Sequence, residues 1–420
     1  MRKKSFSKVL IPSLVLFSTQ AAALPFQSLD PRSYGMGGTG VASGTSANAG
    51  FMNPALLAAA KEDEDFSLEL PVIGGRLMDK DDLLDEIDAY QDGNLEGNLT
   101  SAVDTFSTTP SDANAAAVST EAAALWNQLT KLANKAIQGE VSAGFVVGIP
   151  SKTLGASLTA NVWAVGGGLL NVTPADDALV NGIVAAGNVN AAALAANPAI
   201  SDQVLNGNDV VDKLTSGMLA RGAVIQEVSI ALAREVSIGG NDFALGITPK
   251  YFKVTTFDYS VDVNTADFDS DLGKKEYSDF NLDIGIAKDH MNGWKTGLVV
   301  KNVIAEEYQT VLGNTVKIEP QARAGVSHST DWTTVALDVD LNESDAVGFD
   351  SKTQYVGLGA ELDVFETVQL RVGYRHNMSD SDTSIATAGI GFAIFGAHAD
   401  LSVGANEDEI GGSFQLGFRF

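Results

Sequence analysis

The sequence predicts an all-β fold, a transmembrane antiparallel β-barrel of about 14 strands with helical insertions in its outer loops. Three observations predict it. Strand-length segments from about residue 140 onward alternate apolar with polar or small residues; the connections between them alternate short with long; and the chain opens on an export signal with no later apolar run long enough for a spanning helix.

The export signal is MRKKSFSK, carrying Arg2, Lys3, Lys4 and Lys8, then the apolar run VLIPSLVLF and STQAAA. A basic start, a short apolar run and small residues at the cut describe a secretory signal peptide over 1–23, cleaved near Ala23. The run is too short, and is interrupted by Pro12, to cross a bilayer core that needs about twenty apolar residues. Without cysteine the exported chain has neither a lipid-modified thiol nor a disulfide, and rests on packing and hydrogen bonds alone. Removal of the signal leaves 23 basic against 53 acidic residues, a net charge of −30. Such a chain is not expected to bind nucleic acid, whose affinity rests on neutralised phosphates.

The strands read as roughly 66–77, 140–150, 155–170, 222–238, 242–257, 276–289, 294–305, 315–329, 332–341, 352–364, 367–377, 383–395, 397–405 and 411–420. Val335, Leu337, Val339 and Leu341 oppose Ala336, Asp338 and Asp340; Val368, Leu370, Val372 and Tyr374 oppose Gln369, Arg371, Gly373 and Arg375. Phe414, Leu416, Phe418 and Phe420 oppose Ser413, Gln415, Gly417 and Arg419. In a soluble sandwich this alternation places apolar residues inward; in an outer-membrane barrel it places them toward lipid.

The connections choose between the two. After every even-numbered strand the link is tiny, as in Ser151-Lys152-Thr153, Gly239-Gly240-Asn241, Phe365-Glu366 and Gly396, whereas after odd-numbered strands it is as long or longer, twice reaching dozens of residues. Short periplasmic turns and long external loops are the asymmetry of a barrel in the outer membrane of a Gram-negative bacterium. Trp294 and Trp332 follow short turns, where an inner aromatic girdle belongs. Phe418 and Phe420 close the last strand on the apolar row, the mark by which barrel-assembly machinery recognises its clients. Lipid and lipopolysaccharide are the remaining expected partners.

Near the start, RSYGMGGTGVASG contains Gly35, Gly37, Gly38 and Gly40, which match the spacing of a dinucleotide-binding loop. No strand precedes them and no βαβ unit follows, so that reading lacks its context. The longer segment LDPRSYGMGGTGVASGTSANAGFMNPA, residues 29–55 with Asn53-Pro54-Ala55 near its end, resembles the plug of the FadL family of long-chain fatty acid transporters and their PorV-like relatives. The nearest likeness within that superfamily is to barrel proteins catalogued as plasmid-transfer TraF, including TVALDVDLNE and QYVGLGAELDVFETVQLRVGYRHN; the thioredoxin-like F-plasmid protein of the same name has another fold. The resemblance implies an N-terminal plug over 24–60 ahead of a barrel over 61–420. Glycine suits a segment threaded through a lumen, where close approach and tight turns are needed. Pro54 presets φ and confines Asn53 to an extended conformation.

The polar faces place Lys301, Glu319, Arg323, Asp338, Asp340, Glu361, Arg371 and Arg375 toward the lumen, either as a mutual ion-pair network that docks the plug or as a polar conduit. The external loops fall at about 79–138 and 173–220. Residues 111–138 read as an amphipathic helix, capped by Ser111 or Asp112 and stopped by Gly139, with Leu125, Leu129 and Leu132 on one face beside Trp126; residues 175–200 read as a second helical piece. By the resemblance such helices form an access groove for a hydrophobic ligand; the alternative is that they pack on one another and cap the barrel. Gly166, Gly167 and Gly168 lie in the third strand, where the resemblance implies a kink that opens a lateral gate; an ordinary bend near the loop is the alternative.

No catalytic residue, cofactor or metal is expected. DFDSDLG, with Asp267, Asp269, Asp271 and Gly273, misses calcium-loop spacing, and the acidic runs Glu62–Asp65 and Asp79–Asp88 read as solvated. None of the four histidines has a Ser or Cys partner in sequence. The expectation is a non-enzymatic barrel for passive transport of small hydrophobic or amphipathic compounds, FadL-like by the resemblance, which the TraF likeness associates with conjugative-transfer functions. The alternative is a structural or adaptor barrel serving conjugation or secretion.

Overall fold

The computed structural model describes residues 21–23, 26, 30–59, 65–262, 273–345, 347–349 and 351–420. The expected signal peptide lies outside the described residues except for Ala21–Ala23, as do Glu62 to Glu64 of the first acidic run and the acidic stretch Asp267 to Asp271.

In chain order the strands are β1 (Ala21–Ala23), β2 (Ser67–Met78), β3 (Ala136–Ile149), β4 (Gly155–Asn171), β5 (Gly217–Ile238), β6 (Asn241–Asp262), β7 (Lys274–Asp289), β8 (Trp294–Lys301) and β9 (Glu306–Gln309). They continue as β10 (Thr315–Ile318), β11 (Gln321–Ser329), β12 (Thr333–Asp340), β13 (Tyr355–Val364), β14 (Val368–Asn377), β15 (Ile385–Ile394), β16 (Ala397–Ala405) and β17 (Glu409–Arg419). The helices are α1 (Pro31–Gly35), α2 (Leu83–Gly93), α3 (Leu95–Thr108), α4 (Asp112–Leu132), α5 (Pro174–Val189), α6 (Ala191–Ala195) and α7 (Pro198–Asn206).

Strands β2–β8 and β11–β17 form one closed antiparallel barrel of 14 strands, sealed where β17 pairs with β2. The alternation has the orientation of a membrane barrel. Leu158, Val228, Phe280, Leu337, Leu370, Val372 and Leu416 stand exposed on the outside, while Asp338, Asp340, Arg371, Arg375 and Asp400 are buried in the lumen. Period-two side-chain direction and the closure of every strand edge leave no other place for the charges. Trp294 and Trp332 are exposed at the end of the barrel that carries the short turns.

Several sequence boundaries differ. The expected strand 315–329 is two elements. The chain turns at Glu319-Pro320, so β10 leaves the wall and pairs with β9 in a hairpin, while β11 alone joins the barrel. Pro320 has no N–H to offer a continuous ladder. The seventh strand ends at Lys301, not 305. The helix expected over 111–138 stops at Leu132, because Asn134 takes a left-handed φ of 63° and the chain then runs straight into β3 at Ala136. Its true start is Ser111, whose hydroxyl accepts the Asn114 N–H. The expected piece 175–200 is three helices, α5 to α7, each begun by a Thr or Asn cap: Thr173, Asn190 and Asn197.

Candidate functional site

The site is the lumen, and the plug is built first. Asp30 accepts the Ser33 N–H at 3.0 Å and so caps α1, with Pro31 at its first position. The helix ends in Gly37 and Gly38 at φ of 70° and 81°, where Gly38 N–H returns to Ser33 O at 2.8 Å. A Cβ on Gly37 would also stand 2.7 Å from the carbonyl oxygens of Leu358 and Tyr374. Gly35 packs on Gly389 of β15, and Gly40 on Met52 within the plug. Further on, Asn53 is extended at φ −143°, its amide oxygen takes the Ala55 N–H at 3.1 Å, and Pro54 opens a 3-10 turn through Leu57. Asn53 Nδ2 ties the two halves of the plug together through Val41 O at 2.9 Å and reaches the wall at Ile286 O, 3.3 Å away.

The wall answers with glycines. Gly246, Gly285, Gly297, Gly325, Gly357, Gly359 and Gly373 all face inward at positions where plug atoms occupy the space of a side chain. Of these the alternation marks Gly373 only as a small member of the polar face. The signal was present as an apolar-Gly-apolar triplet inside one strand after another, in LGI, IGI, VGL and VGY.

Charges fasten the plug to that seat. Arg32 makes a bidentate pair with Glu361, Nη2 to Oε1 at 2.7 Å and Nε to Oε2 at 3.0 Å, and donates to Ser43 O. Glu361 also holds Arg371 at 2.7 Å, and Arg371 holds Asp400 at 2.5 Å. Asp338 Oδ2 accepts the Gly40 and Val41 N–H groups at 2.8 and 2.9 Å. Arg323 pairs with Asp340 at 2.5 Å and donates to Gly38 O at 3.1 Å; Lys301 donates to Phe51 O. Arg375 belongs to a second cluster with Glu409, Arg76 and Glu140, beside Tyr34 of the plug. Seven of the eight expected lumen charges therefore face the interior, divided among separate groups. The exception is Glu319, which lies outside the barrel ladder, is partly exposed and pairs with Lys317 of β10 at 3.7 Å. Arg32, Arg76, Glu140, Asp400 and Glu409 were missed, because an ion pair across the lumen has no signature in sequence spacing.

The opposite mouth is roofed. The β9–β10 hairpin folds inward and buries Tyr308, Val316 and Ile318 against Trp163, Val165, Ile225, Phe252 and Val254 of β4 to β6. Asp258 Oδ2 accepts from Thr310 Oγ1 at 2.6 Å and from Asn314 Nδ2 at 2.7 Å, fixing the hairpin tip. The loop between β12 and β13 joins it: Val347 enters the same cluster and its carbonyl accepts from Gln138 Nε2 at 2.8 Å. Between plug and roof lies a cavity of about 90 Å³, lined by apolar Val72, Trp163, Ile225 and Phe252 and by charged Asp30, Glu227, Lys250, Asp283 and Lys301. A vestibule of about 680 Å³ opens below the plug at the short-turn end.

The remaining sequence candidates fall elsewhere. Gly166, Gly167 and Gly168 keep unbroken register with both β3 and β5, so the ladder has no opening there. They instead make room: Gly168 for Met218, and Gly167 for Gln138, which holds the roof loop. The irregularity in this part of the wall is in β2, between Glu69 and Val72, where Pro71 lacks an N–H. Leu125, Leu129 and Leu132 are buried, and Trp126 is partly buried, in the core formed by the outer helices. They do not form an open groove, since α3, α5 and α6 pack on α4 and complete the same apolar core. A separate cleft of about 620 Å³ lies between α5 and α7, and no residue lines both it and the lumen cavity. At its edge the Asp202 carboxyl is lowered to about 2 by hydrogen bonds from Lys213, Asn206 and Asn208.

A closed 14-strand barrel with an exposed apolar row outside and an N-terminal plug seated in a charged lumen has the fold of a transmembrane β-barrel. The family model described as "F plasmid transfer operon, TraF, protein" matches residues 50–340, and the chain belongs to that family. Among solved structures the chain is similar to the TodX ΔS2S3 mutant monoaromatic hydrocarbon channel, at 10% identity over 93% of this chain and 99% of that one, with a TM-score of 0.52. It is also similar to a Pseudomonas aeruginosa FadL homologue, at 10% identity over 96% and 99%, with a TM-score of 0.51. These likenesses are in fold. No curated protein matches the chain in sequence.

Proposed function

We propose that this chain is a non-enzymatic barrel for passive passage of small hydrophobic or amphipathic compounds across the outer membrane, by movement of its closures. The observation that carries the reading is the compartment of mixed polar and apolar lining held between a plug on one side and a roof hairpin on the other. Each closure is a separate piece of chain, so each can open without breaking the wall. The periplasm then lies at the short-turn end and the signal peptide is removed near Ala23. Phe418 and Phe420, both exposed on the lipid side, are the handle for the barrel-assembly machinery, with lipid and lipopolysaccharide as the surrounding partners.

A second reading has its own support. Plug residues 30–42 are buried throughout and rest on wall glycines, which suits a permanently seated plug in an adaptor barrel for conjugation or secretion. One experiment separates the two. Cysteines replacing Asp258 and Thr310, in a chain that has none, are joined by a short reversible thiol cross-linker, and uptake of a small aromatic solute is followed in proteoliposomes. Transport predicts uptake that the cross-link stops and reductant restores. No uptake by the uncross-linked wild-type barrel would leave the adaptor reading in its place.

A further inference from the structure

We propose that the vestibule below the plug is a docking surface for an extended, lysine- or arginine-rich segment of a periplasmic partner protein. The surface lies beyond both the transport and the adaptor readings and is compatible with either. Room sets the first condition. The vestibule measures about 680 Å³, more than four times the roughly 150 Å³ of a cavity that holds benzene, so it admits a stretch of backbone with several side chains. The turns β7–β8, β11–β12 and β13–β14 wall it, and plug residues Ala42 to Asn48 close it above.

Charge sets the second. Eight carboxylates and four Lys or Arg cations line the space, and the cations are all spent within the chain: Arg32 and Arg371 on Glu361 and Asp400, Lys295 on Asp289 at 3.5 Å, Arg419 on Glu69 at 3.8 Å. Asp30, Asp331, Asp363 and Glu366 are left over, and among the described residues none of them forms an ion pair within 4.0 Å. The excess is local, since on the facing arc of the same end Lys152, Arg234 and Lys288 offset Glu235 and Asp242. Asp331 and Glu366 stand exposed in turns, and Asp363 sits half-buried beside them, its N–H donating to Trp332 O at 2.8 Å. Asp363 follows Glu361 by two positions on β13, so the two carboxylates share a face about 7 Å apart, the spacing of alternate side chains in an extended peptide. The plug adds built acceptors. Asp30 is 95% buried; its Oδ1 accepts from Ser33 N and Asn48 Nδ2, but its Oδ2 has no partner, nor has buried Ser43 Oγ on the same plug surface. Asp30 also borders the small cavity above, but the roof seals that space, whereas the vestibule is open at the short-turn end. A buried carboxylate without a counter-charge is costly, and a cation arriving from outside relieves it. Among the described residues no three carboxylates or histidines are grouped to share one metal ion, so the complement is a set of separated cations carried on one chain.

The test is fluorescence anisotropy of the purified full-length barrel in non-ionic detergent, with a labelled peptide of alternating lysine and serine about eight residues long and with the same peptide carrying acetylated lysines. Binding in detergent depends neither on transport nor on which way the barrel faces in the membrane, so failure here leaves the proposed function untouched. The lysine peptide is expected to bind and the acetylated one not. Neutralising the rim by Asp331→Asn, Asp363→Asn and Glu366→Gln together should weaken binding about tenfold, and Asp30→Asn, which keeps a helix-capping side chain, should weaken it further. The same change of charge at the opposite end, Asp81→Asn, Asp85→Asn and Asp88→Asn together, should leave binding unchanged, all three being exposed in the first outer loop. Heat-modifiable migration in gels reports that each variant has assembled. Equal binding of the two peptides, equal weakening by the two triple variants, which would mean attraction to net charge alone, or displacement of the peptide by stoichiometric magnesium, which would mean a metal site, overturns the proposal.

Discussion

Glu361→Ala should unseat the plug without dissolving the barrel. Glu361 is the only carboxylate within ion-pair reach of Arg32 among the described residues, and it binds that guanidinium at two points, 2.7 and 3.0 Å. It also holds Arg371, which keeps Asp400 at 2.5 Å when Glu361 is gone. The substitution therefore strands one buried cation on the plug side and leaves the wall pair intact. Removing one partner of a buried pair costs about 3–5 kcal/mol, offset here in part by the Arg32 bond to Ser43 O at 2.6 Å. At about 1.4 kcal/mol per tenfold, the unseated population rises by roughly two to three orders of magnitude. The assay is maleimide labelling of a cysteine at Ala47, a buried plug position in a chain with no native cysteine. Labelling should accelerate by that factor in Glu361→Ala. Asp400→Ala is the control, since it loosens Arg371 but leaves Arg32 and Glu361 joined. Equal labelling rates in Glu361→Ala and the parent, or equal acceleration in Asp400→Ala, would refute the account of how the plug is held.

Other outcomes follow from other parts of the molecule. Gly373→Val puts a side chain where Met36 and Gly37 lie, so the barrel should still assemble and migrate as a folded species while channel conductance in planar bilayers rises. Leu129→Ala removes a buried side chain from the outer helical core at a cost of about 2–5 kcal/mol, which hydrogen exchange should report in α3 to α5 and not in β11 to β17. Burial raises the Asp176 carboxyl, but hydrogen bonds from the hydroxyl and N–H groups of Ser216 and Thr215 outweigh it, and the net displacement is downward. A lowered folded-state pKa gives stability that is present above the ordinary carboxylate range and is lost as pH falls through the folded value. Exchange protection over 173–216 should therefore fall on acidification below about pH 4, and Asp176→Asn should flatten that dependence.

The sequence by itself determined the barrel, its strand number and which face meets lipid, because period-two alternation and alternating connection lengths are local properties that each strand repeats. It also determined that Asn53-Pro54 makes a turn and that a helix starts at Ser111 or Asp112, since both depend on neighbours within three residues. It could not place Glu319, because whether a strand continues past Pro320 or leaves the wall is decided by what the hairpin buries: Tyr308, Val316 and Ile318 find their apolar partners across the lumen. It left Gly166 to Gly168 open between a lateral gate and an ordinary bend, since a glycine needed for close approach and a glycine that weakens a strand look alike until the approaching group is known, here Gln138 and Met218. The leucines of α4 could be assigned to one face, but only the packed helices decided that this face is covered. The Arg32–Glu361 pair joins residues 329 positions apart, and its geometry exists only once the plug lies inside a closed barrel. Contacts across a lumen are set by closure and threading, which tertiary structure alone supplies.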